Sequence, residues 1–375
     1  MYTLLYGAQK NAGDYLIYER SKALLDDIKG IKGSLELHSL STRLEDHLDE
    51  VNQTRAVIVC GGPGLQLNLW PGKYPLASNL DDIKVPIVLM GVGWYGVPGD
   101  DETLAGYRFT PTAHQLFRRI IDGGYDIAVR DYLSRRALSH DGVSKVAMTG
   151  CPAWYSLDHL GQPFTPVETI SSVVFSTPAN PAFADQAIGI LQGLRRRFPG
   201  ARIRAAFHTG LAKDWYLDAN ASGAMAKIAR AAEAAGCEVA DLSYGAEGLV
   251  DNSAFDLHVG YRVHAHLEFM SRRCPSILIE EDGRGRGANE ALNVPGVRAW
   301  VPTPAFLLAR RLNSNRAIEA VRRSVGLVTA NPFAVKAVLD LVDEEVDSGF
   351  GRYRGVADRI DDTYATMRAF VEALP

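Results

Sequence analysis

Short runs rich in Val, Ile and Leu alternate with amphipathic stretches of helical period along most of this chain, and that alternation admits few folds. Strands are expected near Tyr2 to Tyr6, Ser34 to His38, Ala56 to Cys60, Val85 to Met90, Asp126 to Val129 and Lys145 to Met148. Helices are expected between them at Asp14 to Lys29, Thr112 to Gly123 and Asp131 to His140. This order is the signature of a parallel sheet wrapped by helices.

After Thr149 the stretch GCPAWYSLDHLGQPFTPVETI carries three prolines and loses periodicity, as an interdomain connection does. The alternation then restarts with strands at Ser172 to Ser176, Arg202 to Phe207, Glu238 to Ala240, Phe255 to Val259, Ser276 to Glu280 and Val297 to Val301. Helices at Ala182 to Arg197 and Ser222 to Ala235 separate the first of these. Beyond Thr303 the pattern is helical, near Ala305 to Ser324, Pro332 to Asp347 and Tyr353 to Leu374. The expected fold class is α/β, with two doubly wound, Rossmann-like domains at 1–160 and 170–330 followed by terminal helices at 331–375. A chain of 375 residues with 47% hydrophobic content has apolar surface for two cores.

A net charge of −4, from 40 basic and 44 acidic residues, argues against a nucleic-acid partner. The four cysteines, Cys60, Cys151, Cys237 and Cys274, lack the close spacing of a zinc site or a disulfide scaffold, so free thiols and a cytoplasmic location are expected. The start MYTLLYGAQKNAGDY lacks a signal peptide's apolar centre, and nowhere do 18 apolar residues run together. Any membrane contact is therefore expected to be peripheral, at the inner face. Neither a metal nor a cofactor is called for by any ligand cluster.

The chemistry-bearing residues sit where strands end. Asn11-Ala12-Gly13-Asp14 follows the first strand and opens a helix, where glycine permits close approach and unpaired N–H groups favour an anion. A plain turn with Asp14 as the helix cap explains it equally well. Gly61-Gly62-Pro63-Gly64 and Gly91-Val92-Gly93 follow two further strands, at the edge where open α/β sheets collect ligands, although tight turns alone would account for both. Arg130-Asp131 ends a strand and starts a helix. Arg130 is a candidate clamp for a carboxylate or phosphate and Asp131 a helix cap; a surface ion pair is the ordinary alternative. Arg262 and His264, two apart, can reach one ligand only at a strand-to-helix turn. Asp282-Gly283-Arg284-Gly285-Arg286-Gly287 reads as a loop, with Arg284 a further basic candidate.

Taken together, Asn11 to Asp14, Arg130-Asp131, Arg262-Val263-His264 and the basic residue about twenty positions later resemble the polysaccharide pyruvyl transferase family. The resemblance implies a two-lobed, GT-B-like arrangement and transfer of a pyruvyl group from phosphoenolpyruvate to a sugar, forming a ketal. It implies His264 as general acid, with Arg262 and Arg130 holding the donor. Asn11, Gly13, Asp14, Gly61, Gly62, Gly93 and Arg284 are then the substrate-binding candidates. Asp14, Asp131 and Asp282 are all open as the base. Two departures stand out: Pro63 interrupts the family's glycine run, and Arg284 stands where a lysine is common. The acceptor is expected to be a sugar or a lipid-linked glycan, and a homo-oligomer is compatible with the sequence. A GT-B-type nucleotide-sugar glycosyltransferase or epimerase, or a non-catalytic sugar-binding relative, are the competing readings.

Overall fold

The computed structural model describes residues 1–30, 33–38, 42–165, 167–312 and 315–375. Strands β1 (Tyr2–Tyr6), β2 (Ser34–His38), β3 (Val57–Cys60) and β4 (Ile87–Met90) form a parallel sheet in the order β2-β1-β3-β4. Strands β5 (Ile127–Val129) and β6 (Val146–Met148) pair in parallel, and a bridge between Val92 and Val129 joins them to the exit of β4. Every residue of β3, β4 and β5 is buried, as a strand covered on both faces requires.

The second sheet is β7 (Ser172–Ser176), β8 (Arg202–Phe207), β9 (Glu238–Asp241), β10 (Leu257–Gly260), β11 (Ser276–Glu280) and β12 (Gly296–Arg298). Its order is β12-β11-β10-β7-β8-β9, parallel throughout. The strand expected over Val297 to Val301 divides here: Ala299 donates its N–H to Glu280 O, after which β13 (Trp300–Pro302) leaves the sheet to pair antiparallel with β14 (Val328–Ala330). The helix expected over Ala305 to Ser324 is two, Pro304–Arg311 and Asn315–Ser324, and its middle, residues 313 and 314, lies outside the described residues, as does residue 166 of the expected connection.

The last helix, Val356–Glu372, returns to the first lobe and packs on the helix Ala12–Lys29. Tyr2 Oη donates to Pro375 O at 2.6 Å and Lys29 Nζ to Leu374 O at 2.6 Å, which ties the chain's end to its beginning. One apolar cluster runs from Leu4, Leu16 and Ile58 through Cys151, Trp154 and Tyr155 to Val173, Phe175 and Ile277, so the two sheets share buried surface.

The stretch Asp282 to Gly287 is not a loop. Asp282 caps the helix Gly283–Leu292, whose first turns lie against the first lobe. A Cβ at Gly283 would fall 2.6 Å from the Trp94 ring, and one at Gly287 2.7 Å from the Asp131 carboxyl carbon. The glycines therefore serve close helix-to-lobe packing, which offsets their poor helix propensity. Gly283 N–H donates to Gly96 O at 3.0 Å and Arg286 Nη1 to Gly99 O at 3.1 Å, stitching the lobes on this side.

Candidate functional site

In both sheets the strand order reverses direction once. The reversal falls between β1 and β3 in the first and between β7 and β10 in the second. At such a switch point the loops leaving the two carboxyl ends diverge and open a crevice. The two crevices face one another and merge into one cavity of about 170 Å³. Its walls include Gly7, Asn11, Gly13 and Asp14 after β1, Gly61 and Gly62 after β3, and Tyr261, Arg262 and His264 after β10. Ala12 N–H donates to His208 O at 3.1 Å and thereby joins the lobes at the floor.

Arg130 is the least satisfied residue in the site. It is 3% exposed; its Nε donates to Asp131 Oδ2 at 3.2 Å, but Nη1 and Nη2 are both buried without a partner. Asp131 accepts in addition from Ser134 N–H at 2.7 Å, so it caps the helix Tyr132–His140 and orients the guanidinium at once. A Cβ at position 93 would sit 2.0 Å from Arg130 Nε. Gly93 is thus a seat for Arg130 behind the cavity rather than part of its lining.

Arg262 is held on three sides: Nε donates to Thr177 O at 2.8 Å, and Nη2 to Pro178 O at 3.3 Å and Thr209 Oγ1 at 3.2 Å. Its backbone N–H donates to Ser176 Oγ at 3.0 Å, and that hydroxyl also meets His258 Nε2 at 2.8 Å. His258 Nδ1 and His266 Nδ1 in turn meet Ser276 Oγ at 2.6 and 2.8 Å. His258 and His266 therefore form a buried polar network that fixes the turn carrying Arg262. Arg284 is clamped by Asp282, through Nε at 3.0 Å to each carboxylate oxygen and Nη2 at 2.6 Å, and it lies over the Tyr95 ring at 5.0 Å.

His264 turns into the cavity with Nε2 buried and unpartnered. Burial, and then the charges of Arg130, Arg284 and Arg262, push its pKa down to about 3, so the free imidazole is neutral. The ring lies against the start of the helix Ala12–Lys29: a Cβ at Gly13 would come within 2.2 Å of Nδ1. This contact brings two motifs together that lie 251 residues apart in the sequence, and it is the reason a side chain is excluded at position 13. Asp14 does not cap that helix; it stands in the first turn after Asn11. Burial raises its carboxyl pKa, while a hydrogen bond from Asn11 and the charges of Lys73, Arg284 and Arg262 act in the opposite direction.

Five lining residues carry no motif that singles them out in the sequence: Lys73, Tyr74, His208, Tyr216 and Glu281. His208 follows β8 as Arg262 follows β10, so its position at a strand's carboxyl end was an available signal. Its Nε2 is also buried and unpartnered. Glu281, directly after β11, accepts from Ala179 N–H at 2.9 Å and Asn180 N–H at 3.0 Å and holds the loop after β7. Lys73 comes from an irregular segment with no periodic pattern; burial lowers its pKa. Four cationic side chains (Lys73, Arg130, Arg262, Arg284) and two acidic ones (Asp14, Glu281) thus line the cavity. The excess of positive charge, with unpaired donors on Arg130, is a ready seat for a compact anion.

The family model for polysaccharide pyruvyl transferase matches residues 11–221. The chain belongs to the polysaccharide pyruvyl transferase family. The match carries Asn11 to Asp14, Gly61, Gly62 and Arg130, whereas Arg262, His264 and Arg284 lie beyond its end. None of the curated proteins compared matches this family member. Among solved structures it is similar to a glycosyltransferase from Rickettsia africae, at 9% identity and a TM-score of 0.50 over 98% of this chain and 96% of that one. It is also similar to a UDP-GlcNAc 2-epimerase from Neisseria meningitidis bound to UDP-GlcNAc, at 11% identity and a TM-score of 0.46 over 93% and 100% of the two chains. The first likeness shows the fold: two α/β lobes of the GT-B-like kind, in agreement with the parallel sheets described above.

Proposed function

We propose that this pyruvyl transferase family member transfers a pyruvyl group from phosphoenolpyruvate to a sugar hydroxyl pair, closing a cyclic ketal. The observation that carries the reading is Arg130, whose two terminal nitrogens are buried in a cationic cavity without partners. Buried N–H donors left without acceptors are costly even on a guanidinium that Asp131 pairs at Nε, and a ligand oxyanion relieves that cost. Phosphoenolpyruvate offers both a phosphate and a carboxylate. A cavity of about 170 Å³ suits a donor of this size better than a nucleotide sugar, since sites for larger ligands run to roughly 300–1,000 Å³.

In this scheme Arg130 binds one anionic group of the donor, while Arg262 and Arg284, each already oriented by protein contacts, face the rest. His264 protonates the methylene carbon of the enol. The resulting oxocarbenium-like centre is attacked by one sugar hydroxyl, whose proton passes to a base. The second hydroxyl then displaces phosphate, which leaves with the proton the base had taken, and closes the ring, while the proton this hydroxyl releases restores the acid. Donor binding supplies what His264 lacks when free: the anion offsets the three guanidinium charges and raises the imidazole pKa toward the operating pH. Of the three carboxylates open as the base, Asp131 and Asp282 have both oxygens engaged by arginine and helix N–H groups. Asp14 lines the cavity with its pKa raised, and it is the base assigned here. The exposed Trp215 and the half-covered Tyr216 beside the mouth offer flat amphipathic faces to a pyranose acceptor.

The test is a thermal-shift titration with phosphoenolpyruvate beside UDP- and GDP-sugars. Stabilisation by phosphoenolpyruvate that disappears in Arg130→Met supports the assignment. Stabilisation by a nucleotide sugar alone would replace it with the glycosyltransferase reading.

A further inference from the structure

The segment after β13 leaves its apolar side chains in solvent. In the helix Pro304–Arg311 and its cap, Leu308 is 60% and Leu312 65% exposed, with Leu307 also exposed. At 3.6 residues per turn, Leu307, Leu308, Arg311 and Leu312 fall within an arc of about 140°. The next helix, Asn315–Ser324, presents Arg316, Arg322 and Arg323 to solvent and is followed by Val325, 62% exposed. Among the described residues Arg311, Arg316 and Arg323 make no ion pair, and Arg322 meets only Glu319, at 3.6 Å. The acidic neighbours Asp100 and Glu102 are taken up by Arg310, which fastens the first helix to the N-terminal lobe. This surface lies near the cleft, since Arg310 pairs with Asp100, whose neighbour Gly99 packs against Asp282 and Gly283, and Asp282 holds the cavity-lining Arg284.

We propose that the outward faces of residues 304–311 and 316–325 dock on an anionic lipid surface. Exposed leucines beside uncompensated arginines are what an interfacial helix presents to a bilayer with acidic headgroups. The charge also argues against a second copy of this chain, because a two-fold contact would bury this excess of arginines from both copies in one interface. No helix among the described residues is long and apolar enough to cross a membrane, so the attachment is to the surface. The inference does not depend on the donor or on turnover. It would place the cleft mouth beside the membrane, within reach of a lipid-linked acceptor.

The check is co-sedimentation of the full chain with vesicles of phosphatidylcholine alone and with one quarter phosphatidylglycerol. Pelleting is expected with the anionic vesicles only and to fall in high salt. Leu308→Asp with Leu312→Asp should abolish it, and each of Arg316→Ala and Arg323→Ala should weaken it roughly fivefold. These side chains are exposed, so an unchanged melting temperature shows that each variant folds. Absence of pelleting with the anionic vesicles, or pelleting indifferent to the leucine pair, overturns the proposal. So does a concentration-dependent dimer that the same leucine substitutions dissociate, which assigns the face to a second copy.

Discussion

The two walls of the cleft use arginine in opposite ways. On the first lobe Arg130 is buried, oriented at Nε by Asp131 and otherwise unpaired. On the second, Arg262 already donates to Thr177, Pro178 and Thr209, and Arg284 is locked on Asp282. Buried donors left unsatisfied destabilise the empty protein and gain most from a ligand; donors already engaged within their own lobe stabilise that lobe and gain less. On the proposed reading the first wall is therefore the one that captures an anion. The second is built to hold a titratable group, His264, at a fixed place beside it.

Arg130→Met gives the sharpest test of that contrast. Turnover with phosphoenolpyruvate should fall roughly 10³-fold and donor-induced stabilisation should vanish, while the empty protein is no less stable than the parent. Arg262→Met, by comparison, should cost the empty protein about 1–3 kcal/mol, because it strips hydrogen bonds from the loops after β7 and β8. Denaturant melts of both free variants decide the matter, and equal losses would break the comparison.

His264→Gln should lower kcat by roughly 10²–10⁴-fold while leaving phosphoenolpyruvate binding measurable by calorimetry. In the parent protein, binding should take up a proton near neutral pH, since the free imidazole is held at about 3 and the anion raises it. Calorimetry in buffers of different ionisation enthalpy reads that uptake, and the variant should lose it.

Gly13→Ala asks whether the lobes' contact matters to the chemistry. The new methyl group would have to displace the imidazole it approaches to 2.2 Å. A fall in kcat of about 10²-fold is expected with little change in fold stability, because the side chain that moves borders a cavity. An active Gly13→Ala protein would separate the first motif from His264.

The smallest effect is on stability against pH. His208, His258, His264 and His266 all have pKa values lowered first by burial, the last two to about 3. Between about 6.5 and 3 the unfolded chain binds protons that the folded chain does not. Stability should therefore be level above about 6.5 and decline as pH falls below it. His264→Gln should shallow that decline, which thermal melts from pH 7 to 4 would show.

Much of the fold was legible because strands covered on both faces must be apolar throughout. Residues such as VIVC at 57–60 and ILI at 277–279 announce themselves in one dimension. The split of β12 from β13 and the strand β14 were not, since three-residue strands in a polar context leave no period to detect. The glycine-rich start of the helix Gly283–Leu292 was misread for a different reason. Its local propensity is that of a loop, and only the approach of Trp94 and Asp131 from the other lobe makes glycine the residue that fits.

The candidate site shows the same division. The sequence by itself determined the strand ends, and with them the residues that could face a ligand: Asn11, Gly13, Asp14, Gly61, Gly62, Arg130, Arg262 and His264. It also determined the family. Tertiary structure alone decided that Gly93 seats Arg130 and that arginine engages Asp131 and Asp282 while Asp14 lines the cavity. It likewise added Lys73 and His208 to the cavity and set the imidazole of His264 against Gly13. The reason is physical. Burial and hydrophobic period are properties of neighbouring residues along a chain, whereas a charge's partners and the room beside an imidazole depend on which distant segments the two sheets bring face to face.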